Sequence, residues 1–238
     1  VYADWYGLDH AAPELQHDAV YGLTEHYRAE IASASIVACP GCFPTAALTA
    51  LIPPMAEGLI ETNDIIIDAK TGISGAGRGL KQAMLFSEAG EGCSPYGVGH
   101  HRHMPEIEQE LSKAAGEEVR IGFTPHLVPM ARGELLTCHV RLQGASKADD
   151  VRVVLDNRYA SERFVQVLPE GSFPKTQNVR GSNYVHVAVF EDRLPGRAII
   201  IAALDNLVKG SAGQAIQNLN VAFELPEQTA LEQLPMFP

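Results

Sequence analysis

The sequence predicts an α+β domain with a mixed or antiparallel sheet, preceded by the last part of another domain. Three observations predict this class. The first part of the chain is rich in helix-forming segments, strands dominate from about residue 119 onward, and one amphipathic helix closes the chain. This order is typical of a sheet whose strands are interrupted by helices packed against it.

Helices are expected where apolar residues recur at helical spacing or where a capping signal stands. The predicted helices are an amphipathic stretch at 15–31, a segment at 44–51 that Pro53 and Pro54 end, a segment from Pro105 to a C-cap at Gly116, a segment at 147–161, and a closing helix marked by Ala212, Ile216, Leu219 and Phe223. The predicted strands are 35–38, 64–69, 119–124, 135–142, 164–168, 184–191 and 197–203. The short connection at 192–196 predicts a hairpin between the last two strands.

Composition limits the class of protein. The 238 residues include 18 basic and 29 acidic side chains, and the net charge of −11 repels a phosphate backbone, so we expect no nucleic-acid partner. Four cysteines in a chain of this length do not predict a disulfide framework. No glycosylation sequon, signal-peptide pattern or membrane-length apolar run stands in the sequence, so we expect a soluble cytoplasmic protein without a membrane partner.

Cys42 is the first candidate for chemistry. Pro40 and Gly41 predict a tight turn before it, and a helix is predicted to begin directly after it. Unpaired N–H groups and the positive end of the helix dipole stabilise a thiolate there and lower the pKa of the thiol. Cys42 is therefore a candidate nucleophile, and an inert buried cysteine is the alternative.

A cluster of histidines forms the second candidate site. His101 and His103 precede the helix that begins at Pro105, and Glu106 lies in its first turn. A carboxylate at this spacing can accept a hydrogen bond from an imidazole and fix its tautomer. One of the two histidines is thus a candidate general acid/base for a nearby thiol, and their order does not decide which.

Cys39 and Cys42 also form a Cys-x-x-Cys pair, which histidines near residue 100 would complete as a Cys2His2 zinc set. We do not expect a metal site, because a second Cys-x-x-Cys pair is absent from the sequence. Arg102 and the helix at Pro105 also suit other functions.

Two further segments carry candidate anion-binding groups. Residues 72–78 follow a predicted strand, and their backbone N–H groups, with Arg78, predict an anion-binding nest. Ala76 replaces the last glycine of Gly-x-Ser-x-Gly, which argues against a serine hydrolase. Residues 124–133 form a predicted irregular segment, in which Arg132 offers a planar fork of donors for a phosphate or carboxylate.

Together these stretches resemble the N-acetyl-γ-glutamyl-phosphate reductases of arginine biosynthesis. The matching motifs are Pro-Gly-Cys-Phe-Pro-Thr at 40–45, Ser-Gly-Ala-Gly-Arg at 74–78, His-Arg-His-Met-Pro-Glu-Ile at 101–107, Phe-Thr-Pro-His-Leu at 123–127 with Arg132-Gly133, and Asp-Asn-Leu-Val-Lys-Gly at 205–210 leading into Gln214-Ala215. The resemblance implies a glyceraldehyde-3-phosphate-dehydrogenase-like catalytic and oligomerisation domain at 41–205. It also implies the remnant of an NADP-binding Rossmann domain at 1–40, and a C-terminal helix at 206–238 that returns to the cofactor domain.

The resemblance implies NADPH-dependent reduction of N-acetyl-glutamyl 5-phosphate to the 5-semialdehyde and phosphate through a thioester on Cys42. It implies that His103 or His101 moves the protons and that Glu106 orients the imidazole. It further implies substrate binding by Arg132, Arg78 and His126, and cofactor binding by Ser74, Gly75, Asn206 and Lys209. By the same resemblance we expect a homo-oligomer, a dimer or a tetramer, formed through the sheet.

Two features depart from the family's pattern. Cys39 stands where many relatives have Asn before Pro-Gly-Cys, which makes the Cys-x-x-Cys pair incidental to the expected chemistry. The chain begins at Val1 and contains neither Gly-x-Gly-x-x-Gly nor a P-loop. We therefore expect a catalytic-domain fragment that binds NADPH poorly or not at all.

Several alternatives use the same residues. Aspartate-semialdehyde dehydrogenase and an aminoadipate-type acyl-phosphate reductase share the chemistry and differ in substrate chain length. A cysteine hydrolase or acyltransferase would use the thiol and histidine without a nicotinamide. A zinc-binding module would use the Cys-x-x-Cys pair instead.

Overall fold

The computed structural model describes residues 2–237. Its helices are α1 (Tyr2–Tyr6), α2 (Thr24–Ala32), α3 (Cys42–Ala56), α4 (Phe86–Ala89), α5 (Met104–Ala115), α6 (Ala148–Tyr159) and α7 (Gly213–Ala222). Its strands are β1 (Ala19–Tyr21), β2 (Ile36–Ala38), β3 (Ile65–Gly72), β4 (Ser94–Pro95), β5 (Ile121–Val128), β6 (Glu134–Arg141), β7 (Val165–Val167), β8 (Val185–Glu191) and β9 (Arg197–Leu204).

Seven strands form one mixed sheet in the order β4-β5-β3-β6-β9-β8-β7. The pairs β3–β5 and β7–β8 are parallel, and the other neighbours are antiparallel. The sheet confirms the predicted α+β class, and β8 and β9 form the predicted hairpin, with Glu191 opposite Ala198. β1 and β2 form a separate parallel pair, connected through α2.

Helices cover one face of the seven-stranded sheet. α3 packs between α5 and α6 and lies against β6 and β9. In β6 the residues Leu136, Cys138 and Val140 are buried, whereas Thr137 and His139 between them are only half-buried. Because side chains alternate along a strand, one row enters the core beneath α3 and the other lies on the opposite, open face of the sheet.

α3 is longer than predicted. It includes Pro53 and Pro54, which we expected to end it. Pro53 has no N–H to donate to the carbonyl of Thr49 one turn earlier, and the hydroxyl of Tyr159 in α6 donates to that carbonyl instead, at 2.7 Å. The helix continues because a neighbouring helix supplies the missing donor.

Residues 15–31 do not form the single helix that their apolar spacing predicts. They divide into part of a 3-10 turn (Pro13–Asp18), the strand β1 and the helix α2. Ala19–Tyr21 is a strand because it pairs in parallel with Ile36–Ala38, a contact that the local pattern does not contain.

The segment at 124–133 is also more regular than predicted, because β5 continues to Val128. Pro125 fits within this strand near the edge of the sheet. Its carbonyl accepts a hydrogen bond from the N–H of Tyr96 at 3.0 Å. The backbone nitrogen of Pro125, which carries no hydrogen, lies on the same side of the strand. Only the two-residue β4 pairs on that side, so little is lost.

The closing helix α7 forms, but the face it buries is polar. The buried residues are Gly213, Gln214, Gln217, Asn218 and Asn220. Ile216, Leu219 and Phe223, which we used to mark the helix, are 39%, 50% and 72% exposed. The polar face is buried because its amides have partners, as where Asn218 Nδ2 donates to the Gly22 carbonyl at 2.8 Å.

α5 confirms the predicted start and end signals. Pro105 lies in its first turn, and Gly116 follows its last residue with φ 73°. The N–H of Gly116 donates to the Ser112 carbonyl at 2.9 Å, as a left-handed glycine cap does. Among the described residues, no helix combines the length and apolar character needed to cross a bilayer.

Candidate active site

Cys42 is the first residue of α3 and lines a pocket of about 550 Å³. The other residues that line this pocket include Phe43, Thr71, Gly75, Tyr96, His101 and His103. The motifs near residues 42, 75 and 101–103 therefore meet at one cavity, at the end of β3 and the start of α3.

The helix start acts on the Cys42 thiol as predicted, but opposing effects outweigh it. Burial raises the pKa of Cys42 well above the ordinary range, and the negative charge of the Glu134 carboxylate raises it further. The backbone N–H groups of Phe43 and Cys42 act on the sulfur in the opposite sense and lower its pKa. The predicted lowering of the Cys42 pKa is therefore wrong, and the resting residue is a thiol.

His103 lies against the peptide that precedes Cys42. A Cβ built on Gly41 would come within 2.4 Å of His103 Nε2, so the imidazole reaches this position only beside a glycine. His101 packs on His103 with ring centroids 4.8 Å apart, and its Nδ1 accepts a hydrogen bond from the His103 backbone N–H at 3.2 Å. Both imidazoles thus share the pocket with Cys42.

Burial keeps both imidazoles neutral. It lowers the pKa of His103 to about 3 and the pKa of His101 to about 4, and the charge of Arg102 contributes to both shifts. Since His101 Nδ1 accepts the His103 N–H, we assign the proton of neutral His101 to Nε2. At neutral pH His101 therefore offers an N–H donor from an uncharged ring.

Glu106 has different partners from the histidine that we predicted. Its Oε1 accepts hydrogen bonds from the Tyr21 hydroxyl at 2.8 Å and from the Gly41 N–H at 3.0 Å. Burial raises the pKa of Glu106, and these two hydrogen bonds oppose that effect. Because Gly41 immediately precedes Cys42, Glu106 fixes the turn that places the sulfur.

Arg132 is held in place by an ion pair. Its Nε lies 3.1 Å from Oδ2 of Asp205, and its Nη2 donates to Oδ1 of the same carboxylate at 3.1 Å. Asp205 is fully buried, whereas the Arg132 side chain is 30% exposed. The guanidinium is therefore oriented by Asp205 and still reaches solvent at one edge.

Asn206 ties together two loops beside the pocket. Its Oδ1 accepts the Gly133 N–H at 2.8 Å, and its Nδ2 donates to Ser74 Oγ at 3.0 Å. The backbone N–H groups of residues 72–74 donate to carbonyls within 130–133. The predicted anion nest is therefore not formed by these three amides, because they connect the two loops instead.

His126 lies on the opposite face of the sheet from Cys42. In β5, Phe123 and Leu127 are buried toward the helices, and His126 between them points the other way. Its Nδ1 is 3.3 Å from Oδ1 of Asp68 on that open face. Strand alternation thus corrects the prediction that His126 helps to hold a substrate at Cys42.

Arg78 is exposed and lies next to the Cys42 pocket, not in its wall. It lines a separate hollow of about 490 Å³ together with Ser74. Lys81 and Met84 line both cavities, so the two adjoin there.

Lys209 does not have the position expected of a cofactor contact. Its side chain is fully buried, its Nζ lies 2.6 Å from Oε1 of Glu25, and it donates to Gln217 Oε1 at 2.8 Å. The prediction that Lys209 binds the cofactor is therefore corrected: Lys209 forms an internal ion pair that joins α2 to the turn before α7. The partner carboxylate, Glu25, is buried as deeply.

Among residues 2–237, one group of side chains has the spacing of a metal site, formed by Glu25, Glu162 and Glu227. Neither Cys39 nor Cys42 belongs to it. Cations of the chain already neutralise this group, because Arg28 Nε lies 2.8 Å from Glu227 and Lys209 pairs with Glu25. The arrangement is that of an ion-pair network.

Three residues around Cys42 were given no role by the sequence analysis: Tyr96 and Glu134 belong to no motif that we recognised, and Gly210 ends the motif at 205–210. A Cβ on Gly210 would lie 2.7 Å from the Cys42 Cβ, so the π-helical turn Val208–Ala212 passes this closely only with glycine. Tyr96 packs its ring 5.5 Å from the His101 ring. Glu134 is fully buried in the row of β6 that faces α3. Strand alternation alone could have revealed Glu134, as an acidic residue on an otherwise apolar row.

The sequence is similar to those of known proteins. The family model described as semialdehyde dehydrogenase, dimerisation domain, matches residues 42–206. The chain is 54% identical over 237 residues to a probable N-acetyl-γ-glutamyl-phosphate reductase, chloroplastic, of Arabidopsis thaliana, covering 100% of this chain and 59% of that protein. It is 54% identical over 238 residues to an N-acetyl-γ-glutamyl-phosphate reductase of Rhodospirillum rubrum, covering 100% and 68%.

The fold also matches solved structures. An aspartate semialdehyde dehydrogenase II from Vibrio cholerae superposes with a TM-score of 0.67 at 20% identity, covering 87% of this chain and 69% of that one. At this identity the likeness is one of fold, and it confirms the predicted dehydrogenase-like class. Identity above one half along the whole chain is more specific. The chain belongs to the N-acetyl-γ-glutamyl-phosphate reductase family.

Proposed function

We propose that the protein containing this chain reduces N-acetyl-glutamyl 5-phosphate to N-acetyl-glutamate 5-semialdehyde with NADPH, through a thioester on Cys42. The main support is one pocket whose wall contains the Cys42 thiol and two neutral imidazoles, in a chain whose relatives carry this enzyme name. The chain spans 59% and 68% of the length of the two relatives described above.

The reaction begins when the Cys42 sulfur attacks the acyl carbon of the substrate. A C–S bond forms, the C–O bond to phosphate breaks, and phosphate leaves with the electron pair. The N–H groups of Cys42 and Phe43 stabilise the thiolate for this step. Glu106 contributes by holding Gly41, which sets the position of Cys42.

His101 and His103 serve best as neutral hydrogen-bond donors. The Nε2–H of His101 suits the substrate oxygen, on which negative charge develops during attack and during reduction. Collapse of the tetrahedral alkoxide releases the aldehyde and returns the thiolate, so this sequence requires no charged imidazole. The low pKa values of both rings support that assignment.

The pocket wall beside Cys42 has the types of residue that bind a nicotinamide ring. Phe43 and Tyr96 supply flat side chains, and a Cβ on Gly75 would lie 2.9 Å from Thr71 Oγ1, so the glycine leaves the wall open. Ser74 and Gly75 are the residues that would hold the ring, with Ser74 positioned by Asn206. When bound, the reduced nicotinamide supplies a hydride to the acyl carbon. The choice of NADPH follows from the family resemblance.

We also propose that copies of the protein associate through the open face of the sheet. The matching family model is described as a dimerisation domain. Leu135 and Thr137 of β6, and Ile199 and Ile201 of β9, lie half-buried on this face. Apolar side chains on an uncovered sheet face are typical of an interface.

The test uses the natural protein that contains this chain, with N-acetyl-glutamyl phosphate and NADPH, and follows NADPH consumption. We expect turnover that Cys42→Ser abolishes without changing the circular dichroism spectrum, and that Cys39→Ser retains. Preference for aspartyl or aminoadipyl phosphate would identify a different substrate. Substrate cleavage without NADPH consumption would identify a cysteine hydrolase or acyltransferase and refute the proposal.

A further inference from the structure

Glu134 is a buried acid to which the proposed reaction assigns no step. It is the first residue of β6, and its side chain is 0% exposed. Among the described residues, neither carboxyl oxygen has a hydrogen-bond partner of ordinary geometry. An unpaired carboxylate in such a place is strongly disfavoured relative to the carboxylic acid. Glu134 is therefore an acid whose O–H needs an acceptor.

The Cys42 thiol lies next to that acid, because Thr71 pairs with Glu134 across β3 and β6 and shares the pocket wall with Cys42. Each of the two side chains also shifts the pKa of the other. Leu204 pairs with Glu134 across β6 and β9, and both Leu204 and Cys42 surround the position of Gly210, at 3.1 and 2.7 Å from a Cβ built there. Cys42 lines the pocket and Glu134 does not. The carboxyl thus approaches the sulfur from inside the protein.

Among residues 2–237, no cation pairs with Glu134, and the other titratable and charged groups near the pair are these. The Tyr96 hydroxyl has its pKa raised by burial and then by Cys42 and Glu134. The two neutral imidazoles, Arg102 and Lys81 line the pocket on the outer side of the sulfur. Burial raises the pKa of Glu134 to about 8, and the neighbouring Cys42 thiol opposes this rise.

We propose that Glu134 controls the ionisation of Cys42: as a carboxylic acid it donates a hydrogen bond to the thiolate, and as a carboxylate it keeps the sulfur protonated. The role of Glu134 in catalysis rests on the proposed reductase cycle. In that cycle the proton of the Cys42 thiol passes to solvent, and Glu134 keeps its own proton while the sulfur attacks. Ionisation of Glu134 then stops any further rise in thiolate with pH.

The test measures alkylation of Cys42 by iodoacetamide in this chain carrying Cys39→Ser and Cys93→Ser, with the remaining Cys138 buried. We expect the rate constant to rise about tenfold per pH unit and to level off near pH 8, where Glu134 ionises. Glu134→Gln cannot ionise, so its rate keeps rising. One pH unit above the break it should react about tenfold faster than the parent.

Glu191→Gln is the matched control, because it removes an exposed acid from β8, which β9 separates from β6 in the sheet, and it should keep the break. A parent profile that rises without a break overturns the proposal, and this holds even if Glu134→Gln does not fold. A Glu134→Gln rate at or below the parent's above the break also overturns it. Since alkylation needs neither substrate nor cofactor, a failed reductase assay would refute the proposed function separately.

Discussion

At the scale of single residues, the buried pair of Lys209 and Glu25 makes a sharp prediction. Burial by itself would raise the pKa of Glu25, but Lys209 and Gln217 lower it to about 2, so the carboxylate is ionised at neutral pH. Lys209→Met leaves that charge buried without its cation. We expect a loss of about 3–5 kcal/mol in the free energy of unfolding, measured by urea denaturation at pH 7.

The double variant Glu25→Gln/Lys209→Met removes both charges and should regain most of that loss. Lys175→Met, at an exposed lysine, is the matched control and should change stability little. If Lys209 contacts the cofactor instead, Lys209→Met in the natural protein that contains this chain will weaken NADPH binding and leave the urea midpoint nearly unchanged, which would contradict the buried-pair assignment.

Residues of the site were predictable where their chemistry is local. Cys42, His101 and His103 stand out because a turn, a helix start and short spacings are properties of neighbouring residues. The partners of Glu106, Lys209 and Arg132 depend on which elements pack together, and no spacing contains that information. For the same reason the sequence did not reveal the contact of Glu134 or Gly210 with Cys42.

At the scale of elements, the open face of the sheet carries the prediction of association. Thr137 lies in the middle of this face, opposite Asp68 of β3 and Ile201 of β9. Thr137→Glu places a charge beside Asp68 and opposite the partner copy. We expect sedimentation velocity to show an oligomer for the parent and monomers for Thr137→Glu.

Ser161→Glu adds the same charge at an exposed position after α6 and should leave the oligomer intact. A parent protein that sediments as a monomer, or a Thr137→Glu variant that stays fully associated, would contradict the interface.

Elements were predictable where local signals and packing agree. α5 and α6 carry clear apolar spacing, and Gly116 ends α5 as expected. α3 continues through Pro53 because Tyr159 supplies a donor from another helix, which the local rule for proline does not foresee. In α7 the face with the amide side chains is buried instead of the apolar face, because residues distant in the sequence supply hydrogen-bond partners for the amides.

At the scale of the whole molecule, the two faces of the sheet carry the two proposed functions. The helix-covered side places Cys42, His101 and His103 around one pocket, and the open side carries His126, Thr137 and the surface that we propose for association. The period of two in the strands decides which residue serves which side. A motif can therefore match the family, as the one around His126 does, without its side chain entering the site.

In the proposed cycle Cys42 accepts the acyl group, and this step precedes any use of the cofactor. The protein is mixed with N-acetyl-glutamyl phosphate in the absence of NADPH, quenched in acid, and examined by intact-mass and peptide mass spectrometry. We predict an N-acetyl-glutamyl adduct on the peptide that contains Cys42, released by hydroxylamine and absent in Cys42→Ser. Phosphate release without an adduct, or an adduct on another residue, would contradict the account.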